Sequence, residues 1–164
     1  MEFRPCGPEN AEEIMEYLHP IWHEVFDDMI AGGAEAAEYI FTTWTNPEAI
    51  RESMAAGYEW GYAYKDGERL GLYSFHLQDD GRFYINKVYF EPRFRGRGLG
   101  NEALLKMTEI AREAGCTQMY LNVYYANERA RRAYERAGFD HCYRCLQNIG
   151  GGVTRNDYVY YRFL

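Results

Sequence analysis

The sequence predicts an α/β fold: a single domain of 164 residues on a mixed, largely antiparallel twisted sheet with helices on both faces. Three observations predict it. Two aromatic-rich runs, residues 58–65 and 69–77, are joined by Asp66-Gly67, a strong hairpin turn signal. A strand–helix–strand unit spans residues 82–124, the kind of crossover that parallel pairing requires. Hydrophobic residues make up 47% and aromatics 17% of the chain, enough apolar surface to pack one core rather than remain disordered.

The remaining elements follow in chain order. Residues 2–5 are a first short strand. After Pro8, the Glu-rich run 9–18 predicts a helix with Ile14, Met15 and Leu18 inward. Pro20 is expected to break it and restart the chain as a second helix, 21–31, where Ile21, Trp22, Val25, Phe26, Met29 and Ile30 recur at helical spacing. Gly32-Gly33 ends that helix and another helical pattern, 34–43, follows. Asn46 as N-cap and Pro47 in the first turn open a short helix to Ala56. Asp79-Asp80-Gly81 turns into the central strand, 82–90. The helix of about 98–114 places Leu99, Ala103, Met107, Ile110 and Ala114 on one face, and Gly115 stops it. A strand at 117–124 leads to Asn127, the cap of a helix that Gly138 terminates. Strands at 139–146 and 154–163 complete the sheet. The glycines Gly150 to Gly152 between them read as a turn, since no helix follows to make a phosphate loop.

One stretch carries chemistry. The central strand runs through Pro92 into Arg95-Gly96-Arg97-Gly98-Leu99-Gly100-Asn101, and a helix starts there. Alternating glycines let backbone N–H groups approach a ligand with no Cβ in the way. A helix start adds free donors and the positive end of the dipole, so the turn suits phosphate. Arg95 and Arg97 supply charge-assisted hydrogen bonds to the same anion. No Lys-Ser/Thr follows the last glycine, which excludes a Walker loop, and the spacing lacks the dinucleotide fingerprint.

Arg95, Gly98 and Gly100 resemble the pyrophosphate-binding motif of the GNAT superfamily of acyl-CoA-dependent N-acyltransferases. Residues 121–139, LNVYYANERARRAYERAGF, resemble its second signature, so the likeness spans residues 83–139. The resemblance implies a GNAT-like fold in which strands 82–90 and 117–124 splay apart. Coenzyme A would enter as an added strand along Val88, Tyr89 and Phe90. Its diphosphate would sit on the N–H groups of Gly96, Arg97, Gly98, Leu99, Gly100 and Asn101, beside Arg95, with Asn127 also facing it. The resemblance makes Tyr134 the acid that protonates the departing thiolate; packed tyrosine in the core is the alternative reading. A substrate ammonium of pKa ~10.4 must first lose a proton, at about 4.6 kcal/mol at pH 7. Many members of the superfamily place a Glu on the central strand for this. Here Ile85-Asn86-Lys87 has no carboxylate, and Glu24, Asp28, His23 and His76 are the candidates for the base.

The polar face His23, Glu24, Asp27, Asp28 reads as a solvated helix surface or as an acidic rim around an amine. On the second reading Trp22, Glu24 and Asp28 belong to the substrate side. A formal charge of −7 excludes general nucleic-acid binding and is compatible with a cationic substrate. The CxxC pair Cys142–Cys145 lacks a second ligand pair, and i and i+3 on a strand point to opposite faces, so neither metal nor redox work is expected. No signal peptide or membrane-length apolar run is found, and a cytoplasmic location is expected. The expected activity is acetyl transfer from acetyl-CoA to a primary amine of a small molecule or peptide, without a metal. The expected partners are that substrate and at most a second copy of the chain in a homodimer. The alternatives are a longer-chain acyltransferase and a catalytically silent acyl-CoA sensor or interaction module.

Overall fold

Side-chain alternation along the strands decides how the molecule is layered. The computed structural model describes residues 1–164, with β1 (Glu2–Pro5), α1 (Ala11–Phe26), α2 (Gly33–Trp44), α3 (Pro47–Ala55), β2 (Tyr58–Lys65) and β3 (Glu68–Leu77) in the first half. The second half holds β4 (Arg82–Phe90), α4 (Leu99–Glu113), β5 (Gln118–Tyr124), α5 (Glu128–Arg136), β6 (Asp140–Asn148) and β7 (Thr154–Phe163). The strands form one sheet in the order β1-β2-β3-β4-β5-β7-β6. Only β4 and β5 pair in parallel, as the crossover through α4 requires. Trp60, Tyr62 and Leu72 face α1, α2 and α3, where Ile14, Leu18, Ile40, Phe41 and Ile50 close the first core. Tyr73, Phe75, Phe83 and Ile85 face α4, whose Leu104, Met107 and Ala111 close the second. Helices therefore cover both faces, and no helix is long and apolar enough to cross a membrane.

Pro20 does not divide the first helical region. Helix α1 runs through it from Ala11 to Phe26 and then ends, so residues 27–31 are turn rather than helix. The proline removes one N–H bond and costs ~3 kcal/mol. Against that, Ile14, Leu18, Ile21, Trp22 and Phe26 lie buried along one stripe that crosses the proline, and each such burial contributes roughly 1.5–3 kcal/mol. Tertiary packing wins. Strand β6 also reaches Asn148, two residues beyond the expected end, because its ladder with β7 continues to Asn148↔Thr154.

Two features of β4 position the site. It pairs with β5 only from Arg82↔Gln118 to Ile85↔Leu121, and the strands then diverge. On the other side its register with β3 steps from Phe75↔Ile85 to Ser74↔Lys87, leaving Asn86 as a bulge. A bulge twists its strand and re-aims the side chains beyond it. Gly71 on β3 makes this approach possible, since a Cβ there would stand 2.1 Å from the Tyr89 carbonyl oxygen.

Pro20 is exposed on α1, so Pro20→Ala removes no packing and restores a helical donor. We expect the variant to be more stable by about 1–3 kcal/mol. Chemical denaturation at equilibrium checks this, and an unchanged or lower midpoint would show that the proline carries a structural role of its own.

Candidate active site

The glycine-rich turn is built from backbone conformation. Gly96 and Gly98 have φ of +78° and +77°, a region that side chains with a Cβ rarely adopt. Gly98 is the cap of α4, and the first intrahelical bond runs from the Glu102 N–H to its carbonyl, 3.1 Å. The N–H groups of Leu99, Gly100 and Asn101 precede that bond and have no acceptor within the helix. A Cβ built on Gly96, Gly98 or Gly100 meets nothing within 4 Å. The turn is an open cradle of donors at the positive end of a 15-residue helix. The Leu99 side chain is buried against Leu70 and Phe94, which anchors the helix start. Arg95 braces the turn: its Nε donates to the Phe90 carbonyl at 3.3 Å, and Nη1 pairs with Glu24 at 3.1 Å. Arg97 is exposed over the Phe94 ring.

Where β4 and β5 diverge, a narrow cleft opens. Val88 and Tyr89 line it from β4, Leu121 and Val123 from β5, and Asn127, Ala130 and Tyr134 from α5. Residues 87–90 of β4 pair with β3 on one side only. Phe90 instead turns its ring to Leu70, Phe94 and Leu99. Asn127 holds its place by capping α5, its Oδ1 accepting from the Ala130 N–H at 3.2 Å. Tyr134 packs edge-on to Phe139 and tilted to Tyr160. Burial, reinforced by Tyr89 and Tyr84, pushes its hydroxyl pKa up, so the phenol keeps its proton at neutral pH.

A second, larger cavity of about 410 Å³ lies on the α1–α3 side of β4. Trp22, Trp44, Tyr58, Trp60, Tyr84 and Tyr89 supply its aromatic walls. The bulge brings Asn86 and Lys87 onto it together, and β7 contributes Arg155 and Asp157. Asn86, Tyr89, Asn122 and Arg155 line both this cavity and the cleft, so the two meet there. Asp157 is 4% exposed and accepts from Arg155 Nε at 2.9 and 3.1 Å. Burial nonetheless raises its pKa above the ordinary carboxylate value. Lys87 has only the Asn86 Oδ1 as a partner, at 3.2 Å. Burial, with Arg155 as a second cause, lowers its pKa to about 8.

The residues expected on the amine side separate. Trp22 lines the cavity, whereas Glu24 and Asp28 do not. Glu24 is drawn to Arg95, and Asp28 is exposed past the end of α1. His23 faces α2, with Nε2 2.6 Å from Glu38 and Nδ1 2.5 Å from Asp27. His76 stacks on Tyr58 behind the cavity wall. None of the four candidates for the base lines the cavity, and the carboxylate that does is Asp157. The only sequence signal for it was a carboxylate, the one acidic residue, inside an aromatic-rich terminal strand, Asn156-Asp157-Tyr158-Val159-Tyr160.

Known proteins resemble this chain in sequence and fold. The family model described as Acetyltransferase (GNAT) family matches residues 12–139. The chain is 34% identical over 86 residues to thialysine N-epsilon-acetyltransferase of Bos taurus, covering 48% of this chain and 51% of the relative. It is 27% identical over 84 residues to spermine/spermidine N(1)-acetyltransferase of Bacillus subtilis, covering 46% and 55%. The chain thus spans about half the length of these curated relatives. The PaiA N-acetyltransferase of Thermoplasma acidophilum, solved with coenzyme A, shares the fold with TM-score 0.76 at 17% identity, over 99% of this chain and 98% of that one.

The cost of the charge on Lys87 is measurable. A folded pKa of about 8 against the ordinary 10.5 means that the folded state resists protonating this lysine. Its contribution is therefore destabilising below pH about 8 and vanishes above about 10.5. We expect Lys87→Met, which keeps the stem, to raise the melting temperature at pH 7 and to lose that gain as the pH approaches 10.5. Thermal unfolding across that range checks it, and a gain that is constant with pH would place the lysine outside the cavity's low-dielectric floor.

Proposed function

The chain belongs to the acetyltransferase (GNAT) family, and we propose that it transfers an acetyl group from acetyl-CoA to a primary amine by direct attack. The observation that carries this is the meeting of the cleft, which holds Tyr134, with the aromatic cavity, which holds Asp157, at Asn86, Tyr89, Asn122 and Arg155. The open glycine cradle and the unpaired edge of β4 fit the diphosphate and pantetheine of coenzyme A, the ligand in the Thermoplasma neighbour. The named relatives act on small amines, thialysine and spermine or spermidine, which supports an amine acceptor here.

Acetyl-CoA supplies an activated acyl carbon when bound; the chain's own groups manage the protons. Asp157 takes a proton from the amine, and its raised pKa makes it a stronger base than a solvated carboxylate. As the nitrogen–carbon bond forms and the carbon–sulfur bond breaks, Tyr134 donates its proton to the departing sulfur. The second proton leaving the acylated nitrogen restores the phenol, and Asp157 releases the first to solvent. Full transfer from a phenol of pKa ~10 to a thiolate of pKa ~8.5 is uphill by roughly 2 kcal/mol in water, and burial of Tyr134 increases that gap. The phenol therefore acts as a strong hydrogen-bond donor to the developing charge, with transfer completed as the thiolate leaves.

Tyr134→Phe keeps the ring and its packing. We expect kcat and kcat/KM to fall together by about 10²- to 10⁴-fold, with coenzyme A affinity by calorimetry and the melting temperature unchanged. Wild-type turnover in this variant would make Tyr134 a packing residue, and failure of the chain to bind coenzyme A would overturn the transferase reading itself.

The pH profile identifies the base. With Asp157 in that role, kcat/KM falls as the pH drops through a carboxyl pKa displaced upward from 3.8, and Asp157→Asn abolishes that limb with a loss of about 10²- to 10⁴-fold. A limb near the Lys87 value of about 8 that disappears in Lys87→Met would move the role to the lysine.

A further inference from the structure

The charge inside the aromatic cavity has the opposite sign to the charge of the chain. Overall the protein carries −7, but the charged residues lining the cavity are two cations, Lys87 and Arg155, and one carboxylate, Asp157. Asp157 is already engaged by Arg155 at 2.9 and 3.1 Å. The cavity thus has no free carboxylate to hold a second ammonium, as a polyamine would need. It does have a free cation. The Lys87 ammonium offers three donors and spends one on Asn86, with no carboxylate within salt-bridge distance.

Placing an ammonium without an ion-pair partner on the wall of a cavity built of indoles and phenols costs stability, which the more distant Asp157 carboxylate, opposed by Arg155, offsets only in part. A ligand anion would complete it. We infer that the acceptor is a primary amine that also carries a carboxylate on an apolar or aromatic body, with Lys87 receiving the carboxylate. This rests on the acetyltransferase reading and narrows its substrate class. The amine then lies toward Asp157 and the cleft, and the body lies among the tryptophan and tyrosine rings, as their stacking geometry and area favour. Lys87 is a specificity residue in this arrangement and takes no part in the bond changes. Its pKa of about 8 leaves it charged at pH 7, so it can act as the anion's partner.

The protein carries its own reporter. Its three tryptophans, Trp22, Trp44 and Trp60, all line this cavity. The experiment is a tryptophan-fluorescence titration of the full chain saturated with coenzyme A. The probes are L-phenylalanine, 3-phenylpropionate, phenethylamine and spermidine. Both carboxylate probes should bind at least about 10-fold more tightly than phenethylamine or spermidine, on the scale of a charge-assisted hydrogen bond. Lys87→Met should erase that preference, and Lys87→Arg should keep it. Tighter binding of spermidine or phenethylamine, no binding of any probe, or a preference that survives Lys87→Met would each overturn the inference. Coenzyme A titration of the same samples separates the two readings. Intact coenzyme A affinity with the wrong amine preference sinks only the substrate class, whereas lost coenzyme A binding in the wild type sinks the transferase reading.

Discussion

Everything at the candidate site depends on β4 and β5 parting after Ile85↔Leu121. Backbone N–H and C=O groups in a sheet interior are normally paired, and leaving them bare in an apolar setting costs a few kcal/mol each. A central strand can remain half-paired only if something else meets its edge. The divergence is held open from several sides. The Asn86 bulge twists β4 toward α1, β5 keeps its ladder to β7 through Tyr124↔Asp157, and α5 is capped onto the end of β5 by Asn127. At the far end of the gap the sequence turns on Gly96 and Gly98 into α4, which points its free donors at the same space. One broken ladder therefore yields an edge that suits an extended ligand and a cradle that suits an anion.

The price of such a site is charge in the wrong medium. Lys87, Arg155 and Asp157 sit against indole and phenol rings, and burial shifts the pKa of Lys87 down and that of Asp157 up. The Arg155–Asp157 pair is satisfied by two bonds to one nitrogen, which offsets part of its desolvation. Lys87 has only one hydrogen bond to Asn86 and the more distant field of Asp157, which Arg155 opposes. Met or Leu at this position would avoid that cost, and the proposed carboxylate of the acceptor is what the lysine's charge would serve. Glu24 and Asp28 are placed differently. They are exposed, their field is screened over about 8 Å at physiological salt, and neither lines the cavity.

Local signals were legible in the sequence, and long-range ones were not. The Asp66-Gly67 hairpin, the Asn46 and Asn127 caps, and the glycine turn into α4 all rest on contacts within a few residues, and each formed where its local chemistry required. The bounds of β2, β4 and β7 were readable for the same reason, since turn residues bracket each aromatic-rich run. Pro20 was misleading because the rule for a proline is local, whereas the stripe from Ile14 to Phe26 is held by the sheet beneath it. Tyr134 was singled out by the likeness of residues 121–139 to a family signature, and the structure places it on the cleft wall. Asp157 and Arg155 were missed because β7 reaches β5 only after α5 and β6, and no spacing in the chain records that pairing. Likewise, the aromatic walls draw one tryptophan each from α1, α2 and β2. The bulge at Asn86 is equally silent in sequence, yet it puts Asn86 and Lys87 on one side of β4 where strict alternation would part them.

Two titratable groups flank the junction of cleft and cavity, and burial raises the pKa of both. Equal direction does not mean equal role, because the starting values lie on opposite sides of neutrality. A phenol begins at 10.0, and raising it fixes the proton more firmly. A carboxyl begins at 3.8, and raising it brings the base closer to working pH, while Arg155 opposes the rise. In the proposed reaction the same low-dielectric surroundings thus supply a protonated donor on the thioester side and a carboxylate acceptor on the amine side. Acyl transfer to an amine needs that order: the nucleophile must lose a proton before the leaving group gains one. Exchanging the two environments for water would bring both pKa values back to their ordinary ones and weaken Asp157 as a base. In the proposed mechanism the aromatic enclosure therefore takes part in the acid–base chemistry, in addition to shaping the cavity.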